Sequence, residues 1–105
     1  MDNKLKGSIG LSRRAGMLVA GTEKAVKLVQ SGKAGLLLLD ENASANTQKL
    51  CGDKCRYHQV PLIVLENGSL GEAIGNDGVI AAAILRGSMA EHILTLIPED
   101  KDPEK

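Results

Sequence analysis

The sequence predicts an α/β protein, a three-layer α/β/α sandwich with a central four-stranded mixed sheet. Helical patterns and short apolar runs alternate from end to end. The run Leu36, Leu37, Leu38, Leu39 is unbroken, as expected of a strand covered on both faces. The strand runs are too short for a barrel, and no internal repeat or linker divides them.

A first helix is expected over residues 3–15, where Leu5, Ile9, Leu11 and Ser12 recur at roughly helical spacing, with Gly16 as its stop. Residues 17–20 make a short strand. Thr22 is placed to N-cap a second helix that buries Ala25, Val26, Leu28 and Val29 and ends at Gly32. After the strand 36–39, Asp40, Glu41 and Asn42 form a polar loop. Ser44 or Asn46 starts a third helix with Leu50, Cys51 and Cys55 inward, weakened by Gly52 by about 1 kcal/mol relative to alanine. Pro61 precedes the strand 62–65. Ser69-Leu-Gly-Glu72 and Ser88-Met-Ala-Glu91 share capping-box spacing. The first opens a short helix with Leu70, Ala73 and Ile74 inward; the second opens a last helix with a core stripe of Met89, Ile93 and Leu96. Between them Gly75-Asn-Asp-Gly78 is turn chemistry, followed by an apolar strand over 79–85. Pro98 ends the last helix. Residues 1–97 are expected to form one domain and 98–105 a charged, disordered tail.

Composition narrows the function. The 105 residues contain one aromatic, Tyr57, which argues against a protein that stacks a run of bases on aromatic platforms. Net charge is zero but unevenly spread. Residues 1–33 hold seven Lys/Arg against two acids, a net of +5, and residues 67–105 hold three against seven, a net of −4. Such asymmetry suits a one-sided contact with a polyanion. The sequence shows no bilayer-length apolar run and no leader pattern, and its two cysteines fit a reducing compartment, so a cytoplasmic location is expected.

The start of the second helix carries the most suggestive chemistry. Unpaired amides and the helix dipole attract anions there. Gly21 permits close backbone approach, Thr22 can meet phosphate beside Glu23, and Lys24 and Lys27, three apart, share a face. Taken alone, the same residues more readily describe an ordinary capped helix with solvated lysines, since such caps are common.

Four motifs in register add a resemblance. They are Leu11-Ser-Arg-Arg-Ala-Gly16; Gly21-Thr-Glu-Lys-Ala-Val-Lys27 with Gly32-Lys-Ala-Gly-Leu-Leu-Leu-Leu39; Cys55-Arg-Tyr-His-Gln-Val-Pro61; and Leu70-Gly-Glu-Ala-Ile-Gly75. Together they resemble the kink-turn RNA-binding ribosomal-protein family (L-seven-Ae and L-thirty-e type), in its short bacterial form. The resemblance implies an α/β/α sandwich that recognises a kinked RNA stem. In the family pattern Gly-x-Asn-Glu-x-x-Lys, polar side chains reach the guanines of sheared G·A pairs, and a loop after the fourth helix clamps an extruded nucleotide. By position Gly21 and Lys27 match. Glu23 stands where Asn is usual and Lys24 where Glu is usual. The loop corresponds to Gly75, Asn76, Asp77, Gly78 and Val79, a shorter and less apolar version. An ionised Glu23 only accepts hydrogen bonds where Asn does both, while Lys24 can donate to guanine O6 or N7, a partial exchange of polarity.

Other candidates read as structural. Cys51 and Cys55 are spaced Cys-x-x-x-Cys with only His58 near, and at helical spacing small thiols pack in cores, so no metal is expected. His92 has no partner motif. Asp40, Glu41 and Asp53 lack a nucleophile and base, and no phosphate-binding glycine loop joins strand to helix, so no enzyme and no cofactor are expected. The expected function is non-enzymatic binding of structured RNA, ribosomal RNA or a ribosome-associated RNA, by a protein that is monomeric when free. The competing expectation is a protein-interaction module that keeps the fold without kink-turn recognition.

Overall fold

Leu36, Leu37, Leu38 and Leu39 set the architecture, because all four are buried and successive strand side chains point to opposite faces. Leu36 and Leu38 enter one core with Ile9, Leu70, Ile84 and Ile93. Leu37 and Leu39 enter a second with Ala25, Val29, Cys51 and Ala83. The structure, a computed structural model, describes residues 3–97. Five helices and four strands follow in the order α1 (Asn3–Arg14), β1 (Leu18–Ala20), α2 (Thr22–Gln30), β2 (Ala34–Asp40), α3 (Ala45–His58), β3 (Leu62–Leu65), α4 (Ser69–Ile74), β4 (Ala81–Leu85) and α5 (Ser88–Thr95). Helices α1, α4 and α5 supply the first core and α2 and α3 the second, giving the expected α/β/α layers.

The sheet order is β1-β4-β2-β3. Strand β4 runs antiparallel to both β1 and β2, whereas β2 and β3 are parallel, so the sheet is mixed. Burying leucine-sized side chains contributes roughly 1.5–3 kcal/mol each, and the central β2 holds four of them.

Several local expectations change. Thr22, Ser69 and Ser88 do not cap; each is the first helical residue, and the glycine before it (Gly21, Gly68, Gly87) takes the cap position without a side-chain bond. Ser44 does cap α3, its Oγ accepting the Thr47 N–H at 3.2 Å. Leu50 is 40 % exposed, because α3 turns Cys51 and Cys55 toward the sheet. Strand β4 starts at Ala81, since the Val79 N–H is still engaged in the preceding turn with the Asn76 carbonyl. Asp40 is the buried last residue of β2 and not a loop residue. Gly32 follows α2 as expected, with φ +77° and its N–H on the Val29 carbonyl. Pro98 and the tail 98–105 lie outside the described residues.

Candidate nucleic-acid interface

One edge of the sheet gathers the sequence motifs. The register pairs Ala20 with Ala82, Leu39 with Ala81 and Asp40 with Leu65, so β1, β2 and β3 end where β4 begins. The connections into α2, α3 and α4 and the segment leading into β4 therefore share that edge. Asp40 holds it together. Its Oδ1 accepts the Asn42 N–H and its Oδ2 the Gly68 N–H, both at 2.8 Å, while its own N–H donates to the Ile80 carbonyl. The buried carboxylate, satisfied by two backbone amides, ties two connections to the end of β2, and the Asp40 backbone ties the segment entering β4.

Helix α2 starts beside β4. The Gly21 N–H donates to the Ala81 carbonyl at 2.8 Å, and the Gly21 carbonyl accepts the Ala25 N–H. Gly21 adopts φ +110°, ψ 138°, a conformation that side chains disfavour, so glycine is needed here for the chain to leave β1 and enter the helix. With no side chain at the cap, the amides of Thr22, Glu23 and Lys24 have no intrahelical acceptor and no capping oxygen. Glu23, Lys24 and Lys27 are exposed, and among the described residues no salt bridge involves any of them.

The loop before β4 is tightly folded. The Asn76 N–H donates to the Gly71 carbonyl at 2.9 Å, the Gly78 N–H to Asn76 Oδ1 at 3.2 Å, and the Val79 N–H to the Asn76 carbonyl at 3.2 Å. The loop sits directly on α4: a Cβ at Gly71 would lie 2.7 Å from the Asn76 carbonyl oxygen and 2.9 Å from Asp77 Cα. From α1, the Arg13 guanidinium donates to the Ile74 carbonyl, the last of α4, just before the loop begins.

The structure thus brings Gly21, Thr22, Glu23, Lys24 and Lys27 to the same edge as Gly75, Asn76, Asp77 and Gly78. Val79 belongs to the core at 8 % exposure, so only its backbone can serve a ligand. The edge is not uniformly basic, since Glu23, Glu41 and Asp77 are exposed along it with Lys24 and Lys27. Two residues that position the site escaped sequence reasoning. Asp40 read as loop polarity, although an acid directly after four leucines was a hint of a buried anchor. Arg13 read only as basic charge within its motif.

The remaining candidates are placed elsewhere. Cys51 and Cys55 are buried between α3 and the sheet. Burial, with the neighbouring Cys51 adding to it, pushes the Cys55 thiol up to about 12, and burial also raises Cys51, so both stay protonated at neutral pH. Among the described residues no group of three His, Cys, Asp or Glu side chains is placed to hold a metal ion. No described helix is long and apolar enough to cross a membrane.

Residues 3–93 match the profile of the ribosomal protein L7Ae/L30e/S12e/Gadd45 family. The chain belongs to this family. Similar proteins include the RNA-binding protein YlxQ of Bacillus subtilis (strain 168), 34 % identical over 90 residues that span 85 % of this chain and 90 % of that protein. A solved structure of a protein of unknown function from Bacillus halodurans C superposes with a TM-score of 0.85 at 32 % identity, covering 90 % of this chain and 97 % of that one. A 15.5 kD RNA-binding protein of Giardia lamblia shares the fold, with a TM-score of 0.72 at 19 % identity over 91 % of this chain and 86 % of its own. The L7Ae-family architecture thus agrees with the layer order and mixed sheet described above.

Proposed function

We propose that this L7Ae-family protein binds structured RNA, and specifically a kinked stem of ribosomal or ribosome-associated RNA, without catalysing a reaction. The observation that carries the proposal is the Gly21 N–H bond to the Ala81 carbonyl, which seats the open start of α2 against the first residue of β4, just after the Gly75–Val79 loop. Family membership and the name of the B. subtilis relative support RNA as the ligand. The amides of α2 and the pair Lys24 and Lys27 would take phosphate and guanine edges, and the rigid loop would bound the extruded nucleotide. A cytoplasmic monomer that meets its RNA in solution accords with this role.

A second reading, a protein-interaction module, draws on the exposed Glu23, Glu41 and Asp77 at the same edge. The deciding experiment is a titration against a kink-turn duplex and an unkinked duplex of the same composition at two salt concentrations. The kinked duplex is expected to bind selectively, with log Kd changing by about 1.5–2 per decade of salt if two lysine–phosphate contacts form. Lys27→Ala should weaken binding roughly tenfold and lower the salt slope by about one. Lys24→Glu should weaken it further. Unchanged affinity in both variants, or a complex insensitive to salt, rules the RNA face out. A folded protein that binds neither duplex favours the protein partner.

A further inference from the structure

Away from this edge, the groove between α2 and α3 is lined by Gln30, Leu50, Asp53, Lys54, Tyr57 and His58. Tyr57 is the chain's single aromatic residue, and it is 82 % exposed. Its ring meets the His58 ring edge-on, with centroids 4.9 Å apart and planes at 77°, which orients the tyrosine without covering both of its faces. The surroundings are cationic. Asp53 is engaged on both oxygens, by Lys49 at 3.2 Å and Arg56 at 2.5 Å, so Lys49, Lys54 and Arg56 outweigh it by two charges. A large exposed ring amid net positive charge matches a ligand with a π face and a negative backbone.

The groove lies further along the same two helices, toward their C-terminal ends. Helices α2 and α3 both start at the edge described above and run beside each other, and Gln30 lies one turn beyond Lys27. From Ala45 to Tyr57 helix α3 advances about 18 Å at 1.5 Å per residue, a distance that about three or four nucleotides of extended backbone can bridge. We infer that an unpaired nucleotide flanking the kinked stem stacks its base on Tyr57, with Lys54 and Arg56 meeting its phosphates; this rests on the RNA reading above. One aromatic residue cannot carry a run of bases, but it can hold one. The site therefore favours RNA whose helix is followed by a single strand over a blunt duplex.

Tyr57 also supplies its own probe, because the chain has no tryptophan and no second tyrosine. The test compares a blunt kink-turn duplex with the same duplex carrying a six-adenosine tail on either strand, followed by affinity and by tyrosine emission. One tailed duplex is expected to bind about fivefold tighter or more and to quench the emission. Tyr57→Ala should abolish the gain while binding the blunt duplex normally, and Tyr57→Phe should retain it. Equal affinity for blunt and tailed duplexes, with emission unchanged, overturns the stacking site and leaves the RNA face standing. Failure to bind any of these duplexes overturns both. Saturable quenching by a polyglutamate peptide, with none by the tailed RNA, overturns it in favour of an acidic protein partner.

Discussion

Helices α2 and α3 begin at the same edge of the same sheet, and they begin differently. At α3 the Ser44 hydroxyl accepts the Thr47 N–H, and the Gln48 side chain returns to the Ala43 carbonyl at 2.8 Å, so the first turn closes on itself. At α2 a glycine occupies the cap, the first-turn amides have no side-chain acceptor, and two exposed lysines follow. A capped helix start stabilises the fold and leaves fewer amides for a ligand; an uncapped one gives up that stabilisation and keeps all of its first-turn donors available. The contrast separates residues that hold this edge from residues that use it.

The largest expected effect loosens the edge on which both helices start. Asp40→Ala leaves the Asn42 and Gly68 amides without their acceptor and should cost about 3 kcal/mol in urea denaturation; a loss below about 1 kcal/mol would mean water replaces the carboxylate and the edge is looser than drawn. Next, Gly21→Ala forces a side chain into φ +110° and should cost about 2 kcal/mol. It should also weaken kink-turn RNA binding, because the bond to Ala81 holds α2 against β4; full affinity in a destabilised variant would separate that bond from the site. The smallest effects sharpen the contrast. Ser44→Ala should lose about 1 kcal/mol of stability with RNA affinity intact. Thr22→Ala should change stability by less than about 0.5 kcal/mol, since Thr22 caps nothing. The reverse pattern would show the two helix starts to be misassigned.

The architecture was legible because its signals are local. Four consecutive leucines mark a doubly covered strand, and Ser44 and Asn46 mark the start of α3, with Ser44 the one that caps. The glycine caps were misread for an equally local reason: Gly-Thr and Gly-Ser pairs each offer two candidates, and a hydroxyl outranks glycine unless the backbone has a positive φ, which sequence does not display. Helical spacing cannot say which side of a small stripe faces the sheet, so Leu50, expected inward, lies exposed. Asp40 and Arg13 were out of reach for a different reason. Their partners, Gly68 and Ile74, lie 28 and 61 residues away, and only the folded sheet makes them neighbours. The candidate site itself was visible as two motifs; that they meet follows from strand order.

That strand order also has a consequence for synthesis. Strand β1 has one partner, β4, which is made some sixty residues later and wedges between β1 and β2. A chain growing from a ribosome can pair β2 with β3 early, but β1 waits, and the Gly21 anchor on Ala81 forms only after the final strand has emerged. The candidate face is therefore a late product of translation, withheld from nascent or prematurely terminated chains that already carry every lysine of the second helix.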